Sequence, residues 1–345
     1  MSDTNAPTIS TEALISDVLK VIDRKREQEI ISRRFGLFER RETLEQIGEL
    51  LGITRERVRQ LEKSVIQKLQ QMGEKQQLSG IEAFQEQIIQ QLSGSGQVAK
   101  ISDLTARLVK EPTRIEQARI SFLASLCPKL VVLPDDETYY ASISTKQQYN
   151  DKSLKQAISQ VVDVIEQQGE PKDIQTIASA AGIQDVKRIE ALARSSKRLA
   201  NLNGRWGLVK WPLVNPKNIR DKIYIILQEQ GRHMHFNEIA EAIKVSDFKR
   251  KDVTTQAIHN ELIKDKRFVL IGRGIYALRE WGYEKGTVAD IISQVLKEAN
   301  QPLHRDEIVK RVLKSRFVKE TTILLNLQGK PQFKRVAKAT YELSE

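Results

Sequence analysis

The sequence predicts a mainly α-helical protein with short β-hairpins. Two patterns carry that prediction. Between Thr43 and Lys63, two amphipathic stretches meet at a glycine turn. After residue 80, a succession of two helices and a short β-rich pair recurs four times at loosely regular spacing.

The first pattern reads residue by residue as a helix-turn-helix. Thr43 can cap a helix, and Gln46 three residues on completes a capping box. Leu44, Ile47 and Leu51 form one apolar stripe. Gly48 is small where the second helix must cross, and Gly52 supplies the positive φ of a short turn. Ile53 plugs the corner. Thr54 caps the second helix, with Glu56 in its first turn. Val58, Leu61 and Val65 turn inward, which leaves Arg55, Glu56, Arg59, Gln60 and Lys63 outside. Arg fits guanine with two hydrogen bonds, Gln fits adenine, and Glu accepts from cytosine. Phosphate attraction alone would select against an outward Glu on such a helix.

The residues upstream extend the match. Arg26-Glu27, Arg34-Phe35-Gly36-Leu37, Thr43-Leu44-Glu45, Ile47-Gly48 and Thr54 to Gln60 together resemble region 4 of the housekeeping bacterial sigma factors, over residues 14–70. The resemblance implies a domain that reads the upstream, −35-type promoter hexamer and docks on the flap of the RNA polymerase β subunit. It implies base contacts for Arg55, Glu56 and Gln60, and backbone contacts for Arg57 and Arg59. No region-2-like segment is seen, so an auxiliary or regulatory factor is expected rather than a full sigma factor.

The repeat begins after Gly73–Gly80, which reads as a linker. Four anchors, Gly96, Gly169, Gly231 and Asn300, each end a helix, and an apolar residue follows eight positions later: Leu104, Ile177, Ile239 and Ile308. Each copy closes in two β-rich runs around a turn, with an aromatic assigned to the second run: Tyr139, Trp206, Tyr276 and Tyr341. Helices followed by a hairpin are the pattern of a winged helix. The expected organisation is a disordered tail (1–10), the sigma-type helix-turn-helix (11–72), and winged-helix units at 73–145, 146–214, 215–282 and 283–345. Trp211–Lys217 reads as a linker.

The third unit has its own resemblance. His235 to Ile239, Ala257 to Leu262, and Arg267 to Leu278 around Gly272-Arg273-Gly274 are similar to the HARE-type winged helix of the polymerase δ subunit, some restriction systems and chromatin proteins. That implies a nucleic-acid or polymerase context without a specific task. Lys249, Arg250 and Lys251 precede its probe helix, where Gln256, His259 and Asn260 are expected outside if Val253, Ala257, Ile258 and Leu262 face in. These cations read either as a phosphate clamp or as solvated charge. Arg273 reads either as a wing residue entering a minor groove or as a solvated turn residue. Lys187, Arg188, Arg194 and Arg205 hold the corresponding places in the second unit. His235 and His304 share a repeat position and read as turn-closing hydrogen-bond partners, not as metal ligands.

Composition narrows the classes. The net charge of +11 suits a polyanion partner. The stretch 81–145 is net acidic, and the positive excess lies beyond it. The first unit, 94–145, falls in that stretch and is therefore not expected to bind DNA by itself. There is no apolar run long enough for a membrane span, no signal-peptide pattern, and one cysteine, Cys127. No nucleophile elbow, Walker loop, paired-carboxylate motif or kinase signature is found. The expectation is a non-enzymatic, cytoplasmic and nucleoid-associated transcription factor, without cofactor or metal, whose partners are double-stranded DNA and RNA polymerase. Two alternatives stay open: a polymerase-associated protein–protein adaptor, and the DNA-recognition subunit of a nuclease system.

Overall fold

The computed structural model describes residues 10–248, 250–283 and 285–344. The chain divides into two compact bodies, Met1–Lys210 and Trp211–Glu345.

The first body opens with α1 (Thr11–Lys20), α2 (Lys25–Phe35), α3 (Leu44–Leu51) and α4 (Arg55–Glu74). Ser10, expected to close the tail, instead caps α1 by accepting from Ala13 N. Residues 1–9 lie outside the described residues. Thr43 and Gln46 form the capping box of α3. Gly52 adopts φ 64°, and Ile53 N donates to Gly48 O at 2.9 Å to close the helix. A Cβ on Gly48 would lie 2.7 Å from Ile53 O, so the close crossing requires glycine. Ile30, Ile47 and Val58 are buried at the centre of this motif, ringed by Leu44, Leu51, Ile53 and Leu61.

From there one succession occurs four times. The first copy is α5 (Ile81–Ser93), β1 (Val98–Lys100), α6 (Ile101–Leu108), α7 (Arg114–Leu126), β2 (Leu130–Leu133) and β3 (Ser142–Thr145). The second is α8 (Asp151–Gln168), β4 (Lys172–Asp173), α9 (Ile174–Ala180), α10 (Val186–Arg194), β5 (Leu199–Leu202) and β6 (Arg205–Leu208). In the second body, the third copy is α11 (Ile219–Gln230), β7 (Met234–His235), α12 (Phe236–Val245), α13 (Thr255–Lys264), β8 (Phe268–Gly272) and β9 (Ile275–Leu278). The fourth is α14 (Val288–Ala299), β10 (Leu303–His304), α15 (Arg305–Ser315), α16 (Glu320–Gly329), β11 (Phe333–Ala337) and β12 (Thr340–Leu343). Each copy forms a three-stranded antiparallel sheet with its last strand in the middle. The four anchors all take positive φ (79°, 72°, 62° and 49°), which explains why each is Gly or Asn. The apolar residues eight positions later are all fully buried.

The first strand of each sheet is absent from the sequence reading. At two or three residues it is too short to show a period, and only pairing defines it. The first copy also departs from expectation at its second hairpin strand. Register puts Lys172 opposite Trp206, Met234 opposite Tyr276 and Leu303 opposite Tyr341. The matching pair in the first copy is Ala99 with Ile143. Ile143 therefore fills the place assigned to Tyr139, which lies in a loop, bridges to Ser196 and shares a 3.1 Å hydrogen bond with Ser159.

Two expected linkers are packed. Leu78 is buried, and a Cβ on Gly73 would lie 2.4 Å from Leu126 O, so the 73–80 stretch is held against α7. One hydrophobic cluster runs from Ile15 through Leu69 to Ile143, so the stretches 11–72 and 73–145 share a core. In the second body Val214 is buried and its N–H donates to Trp211 O, which folds the second linker back.

Helix α7 makes the shared core. It packs on α1, α2 and α4, with Phe122 against Phe35 at 5.0 Å between ring centroids. Arg119 reaches across from it: Nε donates to Leu37 O at 2.7 Å, and Nη1 donates to Glu116 at 2.8 Å and Glu12 at 3.3 Å. This helix follows the turn of its copy and is spent on packing.

Candidate nucleic-acid interface

The site rests on how α4 is held. Thr54 Oγ1 accepts from Arg57 N at 3.2 Å and fixes the first turn. Val58 and Val65 are buried on one side. Residues at i, i+3, i+4 and i+7 share the other, and Glu56, Arg59, Gln60 and Lys63 are all exposed there. The far half of α4, through Val65 and Leu69, is buried in the cluster shared with α7. The outward face is thereby mounted on a helix anchored at both ends.

Three cations do the anchoring, two of which, Arg26 and Arg34, the sequence reading quoted without a role. Arg26 donates to Leu51 O. Arg34 contacts Glu62 and donates to Glu42 O, both at 3.3 Å. Arg33 pairs with Glu42 at 2.9 Å and Glu29 at 3.0 Å. These ties bring α2 to both ends of α3 and to the middle of α4. Of these ties only Arg33–Glu29 sits at a helical offset that the sequence displays; the other partners lie farther along the chain.

The exposed side chains are ordered among themselves. Arg59 forks onto Glu56 at 2.7 and 2.8 Å. Gln60 Nε2 donates to Glu56 at 3.4 Å, and Arg57 donates to Gln60 Oε1 at 3.3 Å. Arg55 pairs with Glu45 at 2.7 Å. The Arg59 guanidinium beside Glu56 holds its carboxyl below the usual range, so Glu56 stays an ionised acceptor at neutral pH. Arg55, Glu56 and Arg59 keep 55–68% of their side-chain surface open. Exposed pairs of this kind contribute about 0–1 kcal/mol, so exchanging them for base edges or phosphates costs little.

In the second body the candidates are dispersed. Lys249 lies outside the described residues. Arg250 is exposed with φ 58°, and its carbonyl accepts from the buried Lys222 Nζ at 2.7 Å. Lys251 is half-buried. Gln256 is exposed on α13 and bonds Asn260 at 3.1 Å. Arg273 is exposed at the hairpin tip beside Gly274, where φ is 69°. His259, expected outside, is half-buried instead and packs on Phe236 and Tyr276. His235 and His304 each cap a helix: Nδ1 accepts from the backbone N–H two residues on, at 3.3 Å in both. That is the turn-closing hydrogen bond their shared position implied.

In the second copy Arg188 donates to the Tyr149 hydroxyl at 2.7 Å, and Arg194 pairs with Glu190 at 2.7 Å and lies 3.7 Å from Asp103. Helix α10 packs on β1, and of that set Arg188 is half-buried while Lys187, Arg194 and Arg205 are exposed.

Comparison with known proteins singles out the same region. Residues 24–71 match the family model for Sigma-70, region 4. The chain is 42% identical over 69 residues to RNA polymerase sigma factor sigB of Arabidopsis thaliana, covering 19% of this chain and 12% of that protein. It is 48% identical over 65 residues to RNA polymerase sigma factor RpoD of Helicobacter pylori, covering 18% of this chain and 10% of that protein. It is 39% identical over 70 residues to RNA polymerase sigma factor SigA of a Nostoc species, covering 19% of this chain and 18% of that protein. The chain thus spans less than a fifth of the length of each of these relatives. No helix among the described residues is long and apolar enough to cross a membrane.

Proposed function

We propose that the chain is a DNA-binding transcription factor that reads −35-type promoter DNA with α4 and works with RNA polymerase. One observation carries the reading. The stretch matching sigma region 4 ends in a helix whose Arg55, Glu56, Arg59, Gln60 and Lys63 stand exposed together, over a motif sealed from behind. The matched relatives are named as polymerase sigma factors, which favours a polymerase partner, with the β flap as the docking point. An auxiliary, nucleoid-associated role fits a chain that matches those relatives over one segment only. The four repeats are read as winged helices, the third of HARE type. Arg250, Lys251, Gln256 and Arg273, with Lys249, are its candidate DNA contacts.

Direct readout makes a measurable claim. Arg55→Ala should relax sequence preference at one or two base pairs, costing about 1–3 kcal/mol at the preferred base. Competition binding across a promoter-variant panel measures it, and equal preference in mutant and wild type ends the α4 reading. A second reading, a polymerase-associated adaptor, is favoured by α7 and α10 being committed to protein packing. An adaptor would show a shallow dependence of DNA affinity on salt, and its recovery of polymerase in a pull-down would survive nuclease treatment.

A further inference from the structure

In every copy the residue before the first hairpin strand accepts, at its carbonyl, from the residue after the last strand. The pairs are Lys146 N to Lys129 O, Val209 N to Arg198 O, Arg279 N to Arg267 O and Ser344 N to Gln332 O, at 2.8–2.9 Å. The side chain at that place bridges to the first helix of its copy. Lys129 reaches the exposed Glu86 at 2.8 Å, Arg198 reaches the exposed Glu166 at 3.5 Å, and Gln332 reaches Ser293 at 3.0 Å. In the third copy alone the partner is a buried carboxylate. Arg267 pairs with Asp221, 8% exposed, at 3.1 Å and with Asp265 at 2.7 Å. Its guanidinium lies 5.2 Å from the Tyr224 ring. A cavity of about 610 Å³ opens on this group, within the usual range of about 300–1,000 Å³ for small-molecule sites. Tyr224, Pro212 and Leu213 are its apolar walls. The last two stand there because the 211–217 stretch folds back over buried Val214. Tyr224 Oη donates to Glu280, 3.0 and 3.2 Å from its two oxygens. Lys266 and Arg279 complete the lining, both exposed, and among the described residues neither pairs with a carboxylate.

We infer that this cavity is a small-molecule site for a flat apolar ring carrying one phosphate or carboxylate. Arg267 is balanced by Asp221 and Asp265, and Glu280 is engaged by Tyr224. The unmatched charge is that of Lys266 and Arg279, which selects an anion. An inorganic anion would use those cations and leave the apolar walls in water. A ring against Tyr224, Pro212 and Leu213 removes them from it. Glu280 keeps lone pairs for an amino or hydroxyl group on the ring. A nucleotide and a simple aromatic acid share this chemistry. The site lies wholly in the third copy and stands whether or not α4 reads promoter DNA.

The test is calorimetric titration of the full chain with adenosine monophosphate, phenyl phosphate and benzoate. Adenosine serves as the ring without the charge, and inorganic phosphate as the charge without the ring. At least one of the first three should bind about tenfold or more tighter than both controls, because its two halves bind as one tethered pair. Binding of the nucleotide without the simple acids identifies a nucleotide site, and binding of either simple acid identifies an aromatic-acid site. Lys266→Gln combined with Arg279→Gln, checked for an unchanged thermal melt, should weaken the bound probe about tenfold or more. Arg55→Ala and Arg273→Gln should leave the titration as it is. The inference is overturned if no ring-bearing anion binds above inorganic phosphate, if adenosine binds as tightly as its monophosphate, or if the double variant binds undiminished. An equal loss in Arg55→Ala or Arg273→Gln also overturns it, because anions would then be drawn to basic surface in general. Arg55→Ala tests promoter reading through DNA preference alone, so failure of one idea is distinguishable from failure of the other.

Discussion

Arg119 is 7% exposed, and its guanidinium reaches from α7 to the Leu37 carbonyl, Glu116 and Glu12. In sequence it is one arginine on an amphipathic helix, with no signal that separates it from Arg114 or Arg107. Its burial follows from what lies opposite: a carbonyl left open after α2 ends at Gly36, and two carboxylates within reach. Replacing it with Met would keep the packing and strand those acceptors. The expected loss is about 1–3 kcal/mol, read as a lower urea midpoint at unchanged slope, and an unmoved midpoint would mean the tie is ornamental. Glu56 and Arg59 illustrate the opposite case. They pair with each other in the open, at an offset that the helical period alone predicts.

At the level of elements, most boundaries have a local cause that the sequence displays. Thr43, Thr54, Asn150, Asp173, Asp185, Thr254 and Thr287 each cap a helix through a side-chain oxygen. His235 and His304 do so through a ring nitrogen at the same point of their copies. Replacing either with Ala should cost about 0.5–2 kcal/mol, the usual worth of an N-cap. Equal losses for the two in separate denaturation curves are expected, and no loss at either would show that the ring serves packing instead. The element that local rules misplace is β3. Its strand starts at Ser142 because β1 and β2 both pair there, and the aromatic run before it is drawn to Ser196.

In the first body, the sigma-type segment is not self-contained. Ile15, Val18, Val65 and Leu69 are buried in the same cluster as Phe84, Phe122, Leu123 and Leu126. At about 1.5–3 kcal/mol per buried side chain, removing those partners takes more than a small helical unit can spare. Residues 10–74 alone are expected to melt without cooperativity, and residues 10–210 to melt in one sharp transition followed by circular dichroism. A sharp transition for the short piece would refute the shared core. The shared core also means that α4 is presented from a body much larger than the helix-turn-helix, which favours a rigid reading face.

The helix-turn-helix, its caps and turn, the outward set on α4 and the fourfold succession with its left-handed anchors can all be read from local sequence. All of these are set by interactions within about eight residues, which propensity and periodicity report. Long-range packing is what buries the 73–80 stretch, spends α7 and α10 on protein, turns His259 in, and sets Arg26 and Arg34 to brace the motif. Those outcomes depend on which surfaces meet across long separations in the chain, and no local pattern encodes the surface that lies opposite.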